Sequence, residues 1–113
     1  MTLTSSITGF PRIGENRELK KALENYWGDE IAQEELIQTA NNIKERQWTL
    51  QKEKGIDLIS CNDFSLYDNM LDTAVMLNAI PKRFRDINND IDQYFAMARG
   101  NSSAIAMEMT KWF

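Results

Sequence analysis

Gly55-Ile56-Asp57-Leu58-Ile59-Ser60-Cys61-Asn62-Asp63-Phe64-Ser65-Leu66-Tyr67-Asp68 is the stretch whose reading decides the fold. Ile56 to Ser60 is a short apolar run behind a glycine, the pattern of a buried strand. Asn62 to Tyr67 carries the polar residues of a loop, and Asp68 suits a helix N-cap. Met70, Leu71, Ala74, Val75 and Leu77 then fall on one helical face until Pro81 stops it. The order is strand, loop, helix.

The residues before this stretch repeat that order. Ser5 to Phe10 is β-compatible, is broken by Gly9 and Pro11, and leads into a loop at Pro11 to Glu15. Asn16 is the expected N-cap of a helix whose face is Leu19, Leu23, Tyr26 and Trp27, closed by Gly28. Ala32 to Lys54 is the longest helical pattern, with Leu36, Ala40, Ile43 and Leu50 in one stripe that Gln47 interrupts. Gly55 stands where a left-handed C-cap belongs, after Lys52 and Lys54, cations that suit the end of the helix dipole. A last helix fits Asn88 to Arg99, with Ile87, Ile91, Tyr94, Phe95 and Ala98 on one side. Gly100 to Ser103 breaks it, and Ala104 to Phe113 has no clear period. Two strands joined through helices imply a parallel crossover and an α/β fold. A short parallel sheet has open edges and needs cover on both faces. Alone, such a piece is expected to be marginally stable or to self-associate, and the terminal Trp112-Phe113 points the same way.

The 113 residues fit one domain, and 42% hydrophobic against 27% charged residues allows a core. The net charge of −4 argues against nonspecific nucleic-acid binding. No stretch approaches the ~18–20 consecutive apolar residues of a membrane helix. One cysteine, Cys61, permits no internal disulfide, and without an apolar leader the expected location is the reducing cytoplasm. The absence of histidine removes Ser-His-Asp chemistry and imidazole zinc ligands.

Among charged patterns, Arg17, Lys20 and Lys21 in the first turn of a predicted helix oppose its dipole, costing ~0.3–1 kcal/mol each when exposed. Glu18 offsets part of that. Such a cluster is either a solvated face or an anion site built from backbone N–H groups, dipole and cations. Asp63, Asp68 and Asp72 form a carboxylate set, explained by capping and turn chemistry more simply than by metal or acid–base work. Cys61, after an apolar run, is expected to be buried and inert. The glycines of Gly9-Phe10-Pro11-Arg12-Ile13-Gly14 match neither phosphate-loop fingerprint, so a turn is expected there. Arg12 is open to a structural or a ligand-facing role, and Asn62 and Asp63 are undetermined. Tyr26, Trp27, Trp48, Tyr94 and Phe95 read as packing residues.

Gly9 to Gly14, Arg17 to Lys20, Tyr26-Trp27, Asn62 to Asp68, Leu71 to Ala74, Ala98 to Gly100 and Met109 to Phe113 together resemble the N-terminal part of the cobalamin-independent methionine synthases. The resemblance spans essentially the whole chain. It implies an N-terminal piece, residues 1–113, of the folate-side (β/α)8 barrel: two βα units and the start of a third, helix-rich, since a complete barrel takes about 250 residues. It implies methyl transfer from 5-methyltetrahydropteroyl-polyglutamate to homocysteine, without cobalamin. A zinc ion in the other barrel of the parent would hold homocysteine as thiolate, not a metal in this piece. The piece is expected to lack activity alone. The stretch Arg17, Glu18, Leu19 and Lys20, with Lys111, is implied to bind the polyglutamyl folate, Arg17, Lys20 and Lys111 facing the tail carboxylates. By itself Lys111 reads as a surface lysine. A reading of another class is a small helix-rich interaction or oligomerisation module without catalysis, resting on the Ala32–Lys54 and Asn88–Arg99 helices.

Overall fold

The computed structural model describes residues 2–107. Lys111, with the rest of Met109–Phe113 and its expected third strand, lies outside them. The helices are α1 (Glu18–Trp27), α2 (Gln33–Glu53), α3 (Asn69–Met76) and α4 (Asp90–Arg99), with a 3₁₀ turn at Lys82–Phe84. The chain divides into two compact units, residues up to Leu66 and residues from Tyr67 onward.

In the first unit α1 packs against α2. Leu19, Ala22 and Leu23 of α1 are buried, as are Leu36, Ala40 and Ile43 of α2. The stripe of α2 then departs from its apolar pattern. Leu50 is exposed, whereas Gln47 and Gln51 are buried in the next turns. A buried amide is tolerated when it is hydrogen-bonded. The Gln47 side-chain amide donates to the Pro11 carbonyl at 2.6 Å, and that of Gln51 to the Gln47 carbonyl at 3.2 Å. Gly55 ends the helix at φ 84°, the left-handed conformation glycine adopts freely.

The expected strands are present only as neighbouring segments. Ser6 and Leu58 form one parallel bridge, and among the described residues no extended strand develops. The Ser5 carbonyl accepts from the Asp57 and Leu58 N–H groups, and side chains of the facing segments take up other polar groups there. The Ser5 N–H donates to Asp57 Oδ2 at 2.8 Å, its hydroxyl donates to the Gly55 carbonyl at 3.1 Å, and the Asp57 N–H donates to Ser5 Oγ at 3.0 Å. A parallel pair also needs cover on both faces. Leu58 is 61% exposed, so the buried strand expected at Ile56–Ser60 is not formed. Cys61 follows that uncovered run and is exposed, contrary to the buried thiol expected.

In the second unit, Asp68 caps α3 as its sequence suggests, accepting from the Leu71 N–H at 3.0 Å. Of the expected apolar face only Leu71 is buried. Met70 and Leu77 are exposed, because a helix of eight residues lays just one turn against α4. Asn89 caps α4 by accepting from the Asp92 N–H. Tyr94, Phe95, Ala96 and Met97 of α4 are buried with Phe84 of the 3₁₀ turn, whose carbonyl accepts from the Gln93 side chain. Gly100 closes α4 at φ 76°, where a Cβ would run into the backbone of Ala104 and Ala106.

The Tyr94 hydroxyl organises the entry to α3. It accepts from the Tyr67 and Asp68 N–H groups at 3.0 and 3.2 Å and is hydrogen-bonded to Asp72. Burial, with the hydrogen bond and charge of Asp72, raises its pKa well above the ordinary 10.0. Tyr94→Phe would leave two backbone donors without their acceptor, a loss of about 1–3 kcal/mol. The raised folded pKa adds a pH signature. The stability tied to a neutral Tyr94 is fully present below pH 10.0, the ordinary value, and is lost as pH rises toward the folded one. Urea unfolding is expected to show that alkaline loss in the wild type and a weaker one in the Phe variant.

Candidate functional site: the basic start of α1

The loop from Gly9 to Asn16 delivers the chain to α1, and its backbone makes the cap. Asn16 is not the N-cap expected from the sequence. Arg17 holds that position, with φ 60° and ψ 35° and no side-chain cap. Left-handed backbone is uncommon for a residue with a Cβ and costs roughly 1–2 kcal/mol. Here the loop imposes it. The Arg17 N–H donates to the Gly14 carbonyl at 3.1 Å, and the Leu19 N–H reaches the Ile13 carbonyl at 2.9 Å. Glu18 Oε1 accepts from the Asn16 N–H at 3.1 Å, tying the helix's first acid back to the loop before it.

Glu18 is thereby built into the turn. Its Oε2 lies 3.4 Å from Arg46 Nη2 of α2. It also fills the space a side chain on Gly14 would need, and Gly14 sits at φ 94°. The Glu18 pKa is lowered from its ordinary 4.5. The hydrogen bond from its own backbone N–H is the largest cause, opposed by desolvation and reinforced by the Asn16 N–H and the Arg46 charge. Leu19 is fully buried, with its N–H taken by Ile13, so it contributes to the core and not to the surface.

Arg17, Lys20 and Lys21 are exposed and lie at i, i+3 and i+4, one ridge of α1. Lys20 has a loose pair with Glu24, 3.8 Å apart on the exposed surface. Among the described residues no carboxylate pairs with Arg17 or Lys21. The structure thus brings Arg17 and Lys20 together at the start of one helix with Glu18 and Leu19 beneath them. Lys111 lies outside the described residues.

The loop itself is held by side chains that sequence reading left without a role. Asp63 Oδ2 accepts from the Phe10 N–H at 3.0 Å, Arg12 Nη1 donates to the Leu66 carbonyl at 3.0 Å, and Gln47 holds the Pro11 carbonyl. The signal for Gln47 was its position, an amide in an otherwise apolar stripe. Nothing comparable marked Asp63. Beside the loop, Phe10, Pro11, Gly14, Arg46, Gln47 and Leu50 line a groove of about 490 Å³.

For zinc the donor chemistry does not fit. The chain has no histidine and one cysteine, and among the described residues no three or more His, Cys, Asp or Glu side chains gather as a metal site would require. Among the described residues no helix is long and apolar enough to cross a membrane.

A protein domain built this way offers a positively charged ridge at a helix start, behind a loop held by hydrogen bonds at Phe10, Pro11 and Arg12. Residues 4–113 match the family described as cobalamin-independent synthase, N-terminal domain, and the chain belongs to that family. It is 59% identical over 97% of its length to the 5-methyltetrahydropteroyltriglutamate–homocysteine methyltransferase of Desulforamulus reducens. It is 51% identical over its full length to the protein of the same name from Thermodesulfovibrio yellowstonii, and 47% identical over 99% to that of Rhodococcus jostii. The chain spans 14–15% of the length of these relatives.

The lowered pKa of Glu18 sets an acid limit on the turn. Stability from the Glu18 carboxylate is present above pH 4.5, the ordinary value, and is lost as pH falls through the lower folded one. Urea midpoints followed from about pH 6 to pH 3 are expected to fall less steeply for Glu18→Gln than for the wild type. Identical slopes would remove Glu18 from the capping arrangement.

Proposed function

We propose that this domain serves a methyltransferase that moves a methyl group from 5-methyltetrahydropteroyl-polyglutamate to homocysteine, by anchoring the polyglutamate tail. The observation that carries the proposal is the exposed ridge of Arg17 and Lys20, where Lys20 has only a loose 3.8 Å pair with Glu24, in a chain of this family. The names of the relatives supply the substrate, since a triglutamate tail is a flexible string of carboxylates. Arg17 offers a planar fork for one carboxylate and Lys20 a mobile point charge for another. Lys111 is assigned to the same tail. Glu18 and Leu19 hold the turn and the core beneath the cations. The fold proposed for the complete protein is a (β/α)8 barrel to which residues 1–113 contribute the first βα units. The parallel contact of Ser6 with Leu58 supports that reading. A cytoplasmic location is proposed with it, as is zinc held by residues beyond these 113.

Contacts to the tail lie away from the transferred methyl. They contribute equally to ground and transition states, so their loss appears in apparent affinity and leaves the rate at saturation unchanged. In the complete polypeptide that carries this sequence, Arg17→Ala and Lys20→Ala are each expected to raise the KM for triglutamylated methylfolate about tenfold, the loss of one charge-assisted contact. The KM for the monoglutamate, which lacks the tail, is expected to stay within about twofold. Equal effects on both substrates would overturn the anchoring role.

A further inference from the structure

We propose that Arg12 and Asp63 are positioning residues for the anion site at the start of α1, acting as a reciprocal clamp between two loops. This rests on the anchoring role proposed above and deepens it.

The geometry is reciprocal. The acid of the second loop, Asp63, accepts from a backbone N–H of the first, at Phe10, while the base of the first loop, Arg12, donates to a backbone carbonyl of the second, at Leu66. Each loop thus spends one charged side chain on the other's main chain. The two bonds lie two residues apart on the first loop and three apart on the second, so together they remove both sliding and rotation, which one bond would leave. Both are charge-assisted and half-buried, and such bonds are the stronger ones.

The clamp is coupled to the cations through the backbone. α1 has no side-chain cap, so its first turn takes its position from the loop, by the bonds Arg17 N–H to Gly14 and Leu19 N–H to Ile13. Arg17 stands in left-handed backbone, a conformation that persists only where its surroundings over-determine it. Gln47 holds the third point at Pro11. Releasing Phe10 and Arg12 would leave Pro11 alone to fix the loop, and Arg17 would relax out of its strained backbone and away from Lys20. Neither Arg12 nor Asp63 needs to touch the ligand.

The test uses the complete polypeptide, with the ratio of triglutamate to monoglutamate kcat/KM as the reading. Asp63→Ala and Arg12→Met are each expected to lower that preference about fivefold, through KM and not kcat. Asp63→Asn, which keeps an acceptor for the Phe10 N–H, is expected to retain most of it. Coupling supplies a reading that a general loss of stability would not produce. Because the clamp acts through the cations, Asp63→Ala added to Arg17→Ala should lower the preference no further than Arg17→Ala does. Should the preference stay at its wild-type value in Asp63→Ala and Arg12→Met while Arg17→Ala lowers it, the clamp is not a positioning device and the anchoring role stands. An additive Asp63 and Arg17 double variant overturns the clamp as well. If Arg17→Ala and Lys20→Ala leave the preference unchanged, the anchoring role itself fails, and the clamp's assignment fails with it.

Discussion

The seating of the loop from Gly9 to Asn16 is the constraint on which the first unit depends. An isolated helix of ten residues is too short to form by its own propensity, and its stability comes from packing. α1 packs through Leu19, Ala22 and Leu23, yet packing alone does not say where the helix begins. That is decided by the loop, whose carbonyls at Ile13 and Gly14 accept from the Leu19 and Arg17 N–H groups and whose Asn16 N–H donates to the Glu18 carboxylate in return. The loop is fixed in turn by Gln47 of α2 and by Asp63 and Leu66 from the segment after it. The buried amide of Gln47 therefore joins packing to loop geometry: it occupies a core position and its partner is a loop carbonyl.

Charge on α1 follows from the same arrangement. Three cations at the start of a helix act against its dipole. Glu18 would ordinarily neutralise part of their field, but its carboxylate is turned under Gly14 toward Arg46 of α2. Arg46 thereby cancels the acid that would otherwise cancel Arg17. The ridge of Arg17, Lys20 and Lys21 stays exposed at the surface. Lys20 retains only a loose, solvated contact with Glu24, which a better-placed carboxylate would displace at little cost.

Helical periodicity made α2 and α4 legible to within a residue or two, and Gly55 marked the end of α2 and Asp68 the start of α3 by ordinary cap chemistry. Legibility failed where the outcome rests on contacts distant in sequence. Ile56 to Ser60 has the composition of a buried strand, but burial needs partners, and the neighbours that would cover Leu58 and Cys61 are not among the described residues. Arg17 as an N-cap could not be read from residue type, because no propensity favours arginine in left-handed backbone. Phe84 was missed because a single 3₁₀ turn has too few residues to show a period. At the site, the basic residues of α1 were visible as a pattern. Their support was invisible, because Asp63 reaches Phe10 across 53 positions.

The two units solve the same problem, starting a helix after a loop, in opposite ways. α3 caps itself: Asp68 brings a carboxylate to its first turn, Asp72 adds a second, and Tyr94 takes up the backbone donors just before it. An anion approaching that terminus meets two negative charges and donors already engaged. α1 has no cap of its own, relies on the loop, and has its one early acid drawn toward Arg46. A self-capped helix start carries its capping carboxylate at its surface. One held from outside is freed from carrying a capping carboxylate at its surface, and the positions so released hold Arg17 and Lys20. The dependence on Arg12, Asp63 and Gln47 is thus the counterpart of a helix start without its own cap, since the stability that a cap would have supplied is supplied by bonds behind it.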